Sequence, residues 1–185
     1  LTGLKAPFTA IQLLWINIIM DGPPAIALGL EPIRGDLMNR KPTKRNANIV
    51  TKNMLKKIIY SGIIMIILFM IQSKLNILGA KAEEKSTVLF AMFVMFQIFN
   101  SFNSRELGCD SIFKHFLDNK LMLLSMLGTF ILQIIAVQYA GGFFNTIPLS
   151  FNAWIKIIAM AFIVIIASEV LKIFERFASK KVKSY

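Results

Sequence analysis

Ile11-Gln12-Leu13-Leu14-Trp15-Ile16-Asn17-Ile18-Ile19-Met20-Asp21-Gly22-Pro23-Pro24-Ala25-Ile26-Ala27-Leu28-Gly29 is an apolar run that carries one carboxylate near its middle. It is long enough to cross a bilayer core of about 30 Å as a helix. A carboxylate at that depth is costly unless it pairs, faces water or holds a cation. Asn17 and Asp21 are four residues apart, so on a helix they share one face. Gly22-Pro23-Pro24 follows at once. Proline lacks an amide hydrogen and clashes with the carbonyl four residues earlier. Pro23 therefore frees the carbonyl of Ile19, and Pro24 that of Met20, while Gly22 lets the backbone bend. Broken helices at mid-membrane are tolerated where the loosened backbone lines a cavity or ion site. The stretch reads as half of an ion site, with a Pro-kinked helix whose Asp bonds to a neighbouring helix as the alternative.

Four further stretches are apolar enough to span. The expected spans are about 9–30, 57–73, 87–103, 121–140 and 153–171, an all-α membrane bundle of five helices whose first is broken at Gly-Pro-Pro. With 56% hydrophobic and only 17% charged residues among 185, a soluble domain is excluded. The first stretch lacks the basic leader and small-residue cleavage pattern of a signal peptide. The chain begins without Met, in what reads as a loop, which is expected of a fragment of a longer protein.

The net charge of +11 is unevenly placed. Arg34, Arg40, Lys41, Lys44, Arg45, Lys52, Lys56 and Lys57 follow the first span. Arg105, Lys114 and Lys120 follow the third, and Lys172, Arg176, Lys180, Lys181 and Lys183 follow the fifth. In an alternating bundle these three regions lie on one side. The positive-inside rule makes that side, with the C-terminus, cytoplasmic and puts residue 1 outside. The tail, with Phe174 and Phe177, reads as an interface segment near anionic lipid. No aromatic-interleaved basic face or binding motif supports a nucleic-acid partner. Cys109 stands alone and reads as a reduced thiol in a cytoplasmic loop; His115, the only histidine, reads as a surface residue there. No catalytic set of side chains and no metal box is present in the sequence.

Calcium wants six to eight oxygens. Asp21 offers one or two, Asn17 one, and a freed carbonyl one more, so other helices and at least one further acid are expected to complete a site. In the third span Gln97 and Asn100 are three apart, with Asn103 and Ser104 beyond. They read as interhelical hydrogen-bonding groups, with Gln97 the one ligand candidate. Ser125, Thr129 and Gln133 form a stripe at steps of four, expected as a helix–helix seam. Met92, Met95, Met122 and Met126 read as packing. Glu169 is placed to pair with Lys172 at i+3.

Gln12 to Ala25, with Ala27-Leu28-Gly29 and Glu31-Pro32, closely resembles the sixth transmembrane helix of P-type calcium-transporting ATPases. Lys41-Pro42 and Lys44-Arg45 resemble the segment joining their sixth and seventh helices, and Phe99-Asn100-Ser101-Phe102-Asn103 the polar end of the eighth. The resemblance covers essentially the whole chain, as helices six to ten. It implies that Asn17 and Asp21 coordinate a retained calcium site. Met20 stands where two-site muscle-type pumps have a threonine ligand, and Gln97 where their eighth helix has a glutamate; both departures weaken the second site. The Met-Asp-Gly-Pro-Pro form resembles the secretory-pathway branch and its bacterial relatives, which move one Ca²⁺ per ATP and often accept Mn²⁺.

The expected whole protein is therefore an ATP-driven Ca²⁺ pump that uses ATP and Mg²⁺ in domains these 185 residues do not contain. Its partners are membrane lipid and the remaining domains and helices of the same pump. The fragment alone is expected neither to hydrolyse ATP nor to pump. Isoleucine, lysine and asparagine usage points to a bacterial plasma membrane, with a Golgi-type location as the alternative. Two rival classes are a non-transporting regulatory bundle, in which Asp21 is replaceable, and a channel or secondary transporter, which passes ions without ATP.

Overall fold

The computed structural model describes residues 7–32, 42, 48, 50–106 and 111–182, the side chains of 114, 115 and 177–182 excepted. Arg34, Arg40, Lys41, Lys44, Arg45, Cys109 and Lys183, and the side chains of Lys114, His115, Phe177, Lys180 and Lys181, lie outside the described residues, and with them the readings placed on them.

Five helices are long and apolar enough to span a membrane, as the sequence predicts, and no strand occurs among the described residues. They are α1 (Ala10–Gly29), α2 (Lys52–Leu75), α3 (Lys85–Arg105), α4 (Lys120–Tyr139) and α5 (Phe151–Val182). A helix satisfies its own backbone, which hydrocarbon cannot do for it. The ends lie where capping side chains sit. Thr9 and Gln12 form a capping box at the start of α1. Thr51 Oγ1 accepts from the Met54 amide, which starts α2 well before its apolar core. Asn119 Oδ1 accepts from the Met122 amide at 2.8 Å and starts α4. α5 continues past its apolar core through Val182.

α3 is the central helix. Phe90, Ala91, Met92, Val94, Met95 and Phe96 have no exposed surface at all. α5 packs along it with Trp154, Ile157, Ala161, Val164 and Ile165 buried. Met122 and Met126 of α4 join this core beside Met92 and Met95, so all four methionines act in packing. α2 is the outermost helix, with Gln72 its one buried residue.

Polar contacts between helix ends show the alternation. At one end Arg105 meets Glu31, and Lys57 Nζ lies 4.0 Å from Glu175. At the other, Gln12 Nε2 donates to the Phe144 carbonyl, the Ile147 amide to Thr87 Oγ1, and Lys156 Nζ to the Leu78 carbonyl. The end rich in basic residues is thus a real structural end, shared by the exits of α1, α3 and α5.

A helical turn at Gly141–Phe144 links α4 to α5. A Cβ added at Gly141 meets the Thr146 carbonyl oxygen at 2.5 Å, whereas one at Gly142 meets nothing within 4 Å. Gly141→Ala is expected to destabilise by about 1–3 kcal/mol, because backbone must shift to admit the methyl. Gly142→Ala serves as the neutral control. Melting midpoints of the two variants in detergent check this: equal midpoints contradict it.

Candidate intramembrane ion site

α1 is not a uniform α-helix. Ala10–Trp15 is α-helical, Ile16–Asp21 is a π-helical turn, and the α-helix resumes over Gly22–Gly29. The break expected at Gly-Pro-Pro takes this form: a widened turn ending at Asp21, with both prolines in the first turn of the segment that follows. The cause is local. Pro23 and Pro24 offer no N–H to Ile19 and Met20, so the four-residue bonding pattern cannot run through the junction. The prolines are accommodated where a new α-segment begins, since its first amides need no intrahelical partner. π turns recur at functional sites.

Burial repeats every four residues along this helix: Gln12, Ile16, Met20 and Pro24 face inward, then Ala27. In a regular α-helix a step of four overshoots one turn by about 40°, so such a stripe drifts off its neighbour. The wider turn between Ile16 and Asp21 removes part of that drift. It keeps Met20 and Pro24 on the core.

Asn17 and Asp21 follow Ile16 and Met20 by one residue. They sit beside the buried stripe on the exposed side of α1. Neither side chain takes a hydrogen bond or ion pair from the described residues. Asp21 is the twelfth residue of a 20-residue span, close to its midpoint.

Gln97 lies elsewhere. With Asn100, Asn103 and Ser104 it lines a groove of about 670 Å³ between α2, α3 and α5 that Asn17 and Asp21 do not line. Two of these amides differ in role. Asn103 Nδ2 donates to the Val164 carbonyl of α5 at 3.4 Å, the interhelical bond expected of a membrane amide, while its Oδ1 is buried without a partner. Gln97 makes no side-chain hydrogen bond among the described residues. No group of three acidic, histidine or cysteine side chains gathers among those residues. One carboxylate and one amide on one helix do not fill a calcium shell.

The polar groups that hold α1 in place are different ones. Gln12, fully buried, bonds the Phe144 carbonyl at 2.9 Å, and Trp15 Nε1 donates to Gln133 Oε1 at 2.9 Å. This puts Gln133 in a helix–helix seam as the sequence predicts; Thr129 is buried as well, and Ser125 Oγ is buried without a partner among the described residues. At the far end Arg105 forks onto Glu31 through Nε and Nη2, at 3.1 and 2.9 Å, and gives Nη1 to the Phe116 carbonyl. Asn119 Nδ2 donates to Glu31 Oε2 at 2.8 Å and to the Ala27 carbonyl at 2.9 Å. In the sequence Arg105 reads only as a loop charge, and nothing marks Asn119. The signal available was topological: in an alternating bundle the exits of α1 and α3 and the entry of α4 share one end.

Five helices apolar and long enough to span, the first carrying a mid-span acid with no partner among the described residues, define a multi-helix membrane domain. Residues 5–174 match the family model described as cation transporting ATPase, C-terminus, and the chain belongs to that family. It is similar to calcium-transporting ATPase 4, plasma membrane-type, of Arabidopsis thaliana, 38% identical over 178 residues. It also resembles calcium-transporting ATPase 10, plasma membrane-type, of Oryza sativa subsp. japonica, 37% identical over 175 residues. These alignments cover 93% and 91% of this chain but only 17% of each relative. The chain thus spans about one sixth of the length of the curated relatives it matches.

The expected affiliation with the secretory-pathway and bacterial branch is overturned: these relatives are plasma-membrane-type enzymes of plants. The reason lies in what Met20 and Gln97 can report. A thioether and a neutral amide say only that a hydroxyl oxygen and a carboxylate are missing at those positions, and so they do not identify a branch.

Proposed function

We propose that this chain is the C-terminal membrane domain of an ATP-driven Ca²⁺ pump of the plasma-membrane type, and that Asn17 and Asp21 supply part of one intramembrane Ca²⁺ site. The observation that carries this reading is Asp21: a carboxylate at the midpoint of an apolar span, on a π turn, with no partner among the described residues. Such a group costs about 2.5–3.5 kcal/mol at mid-bilayer on insertion scales and calls for a cation or a water-filled path. The relatives named as calcium-transporting ATPases support the cargo. Oxygen donors suit calcium, and the same donors admit Mn²⁺. ATP and Mg²⁺ act in the parts of the pump outside this chain. The basic residues at the exits of α1, α3 and α5 support a cytoplasmic C-terminus.

The test is ATP-dependent Ca²⁺ uptake into membrane vesicles bearing the full-length protein. Uptake is expected with ATP and Mg²⁺ present, with Mn²⁺ competing less well than Ca²⁺. Ion flux without ATP sinks this reading in favour of a channel or secondary transporter.

A further inference from the structure

We propose that Glu31, Arg105 and Asn119 are positioning residues that set the ion affinity of Asp21 by fixing the α1 segment that follows the π turn. The inference rests on the ion-site reading above and adds residues to it. α1 is fastened at two places with the π turn between them. On one side Gln12 and Trp15 tie Ala10–Trp15 to the Phe144 carbonyl and to Gln133. On the other, the Glu31 carboxylate accepts from Arg105 Nε and Nη2 and from Asn119 Nδ2 among the described residues. The Arg105 side chain is 5% exposed and that of Glu31 22%, so this is a largely buried fork, not a surface pair. Asn119 adds a bond to the Ala27 carbonyl, inside the α1 segment itself. Through the Phe116 carbonyl and the Met122 amide the same groups hold α3 and the start of α4.

Asp21 lies ten residues before Glu31, about 15 Å along a helix. The intervening segment, Gly22–Gly29, is a regular helix that transmits rotation. The π turn, where the regular four-residue ladder is interrupted, is the compliant part. Release of the clamp therefore lets Gly22–Gly29 turn as a unit and carries Asp21 with it. Calcium–oxygen distances fall within 2.3–2.6 Å, so a displacement of about 1 Å takes a carboxylate out of the shell.

The experiment uses the full-length pump and reads the Ca²⁺ dependence of phosphoenzyme formation from ATP. Glu31→Gln removes the charge but keeps an acceptor for Asn119. Arg105→Lys keeps the charge but removes the fork. Each is expected to raise the half-saturating Ca²⁺ concentration about tenfold with the maximal phosphoenzyme level retained. The double variant is expected to shift little beyond the larger single one, because both remove the same clamp. Unchanged half-saturation in both single variants overturns the proposal. So does a fall in the maximal level, or in folded protein, at unchanged half-saturation, which marks a purely structural role. Asp21→Asn in the same series separates the two readings. If it leaves the Ca²⁺ dependence intact, the ion site itself fails; if it abolishes it while the clamp variants do not move, the clamp alone fails.

Discussion

Asp21→Asn in the full-length pump is expected to abolish Ca²⁺-dependent phosphorylation by ATP. The substitution keeps shape and one acceptor oxygen but removes the single negative charge that α1 brings to a 2+ ion. Leaving a desolvated charge without its partner lowers affinity by about 10²- to 10³-fold on the scale of broken buried pairs. Asn17→Ala removes one neutral oxygen and is expected to cost less, about tenfold in half-saturating Ca²⁺. A second readout distinguishes this from a packing role. Asp21 has no hydrogen bond or ion pair within the described residues, so Asp21→Asn is expected to leave the melting midpoint of the pump in Ca²⁺-free detergent unchanged or slightly raised. A variant that keeps its Ca²⁺ dependence sinks the site; one that also melts early points to the kinked-helix alternative, in which Asp21 bonds to a neighbour.

The sequence made the five helices legible because spanning segments must be apolar over about 20 residues, a pattern that survives without tertiary information. It made Asp21 conspicuous for the converse reason. What it could not show was the form of the irregularity. Gly22-Pro23-Pro24 specifies that the ordinary bonding pattern fails, not how the chain rearranges; the stripe Gln12, Ile16, Met20 and Pro24 settles that, since a widened turn keeps all four on the core. Gln97 reads in the sequence as the one ligand candidate of its helix, yet it lines a groove apart from Asn17 and Asp21. Helix spacing along the chain says nothing about which faces of two helices meet. Arg105 was obscured for a related reason. A charge at a helix exit looks the same in sequence whether it is solvated or forked onto a carboxylate 74 positions away.

Glu169 and Lys172, whose i+3 pairing the sequence did foresee, are expected to respond very differently to replacement. Lys172 is 1% exposed, and its Nζ donates to Glu169 Oε1 at 3.1 Å. The same oxygen accepts from the Ile112 amide at 3.0 Å, which joins the segment before α4 to α5. Glu169→Ala removes the carboxylate and strands both donors. A buried cation left without its partner costs about 3–5 kcal/mol. Lys172→Met keeps the volume of the chain and removes the charge that needs compensation. Glu169, with a side chain 17% exposed, still holds the Ile112 amide in that variant. Lys172→Met is therefore expected to cost less than Glu169→Ala, because the carboxylate it leaves behind is partly exposed and keeps the Ile112 amide, whereas the ammonium stranded by Glu169→Ala is buried. Thermal unfolding of the two purified variants in one detergent checks the asymmetry. Equal losses mean that the pair contributes as a symmetric bond; a larger loss for Lys172→Met means that the ammonium, not the carboxylate, carries the contact between these segments.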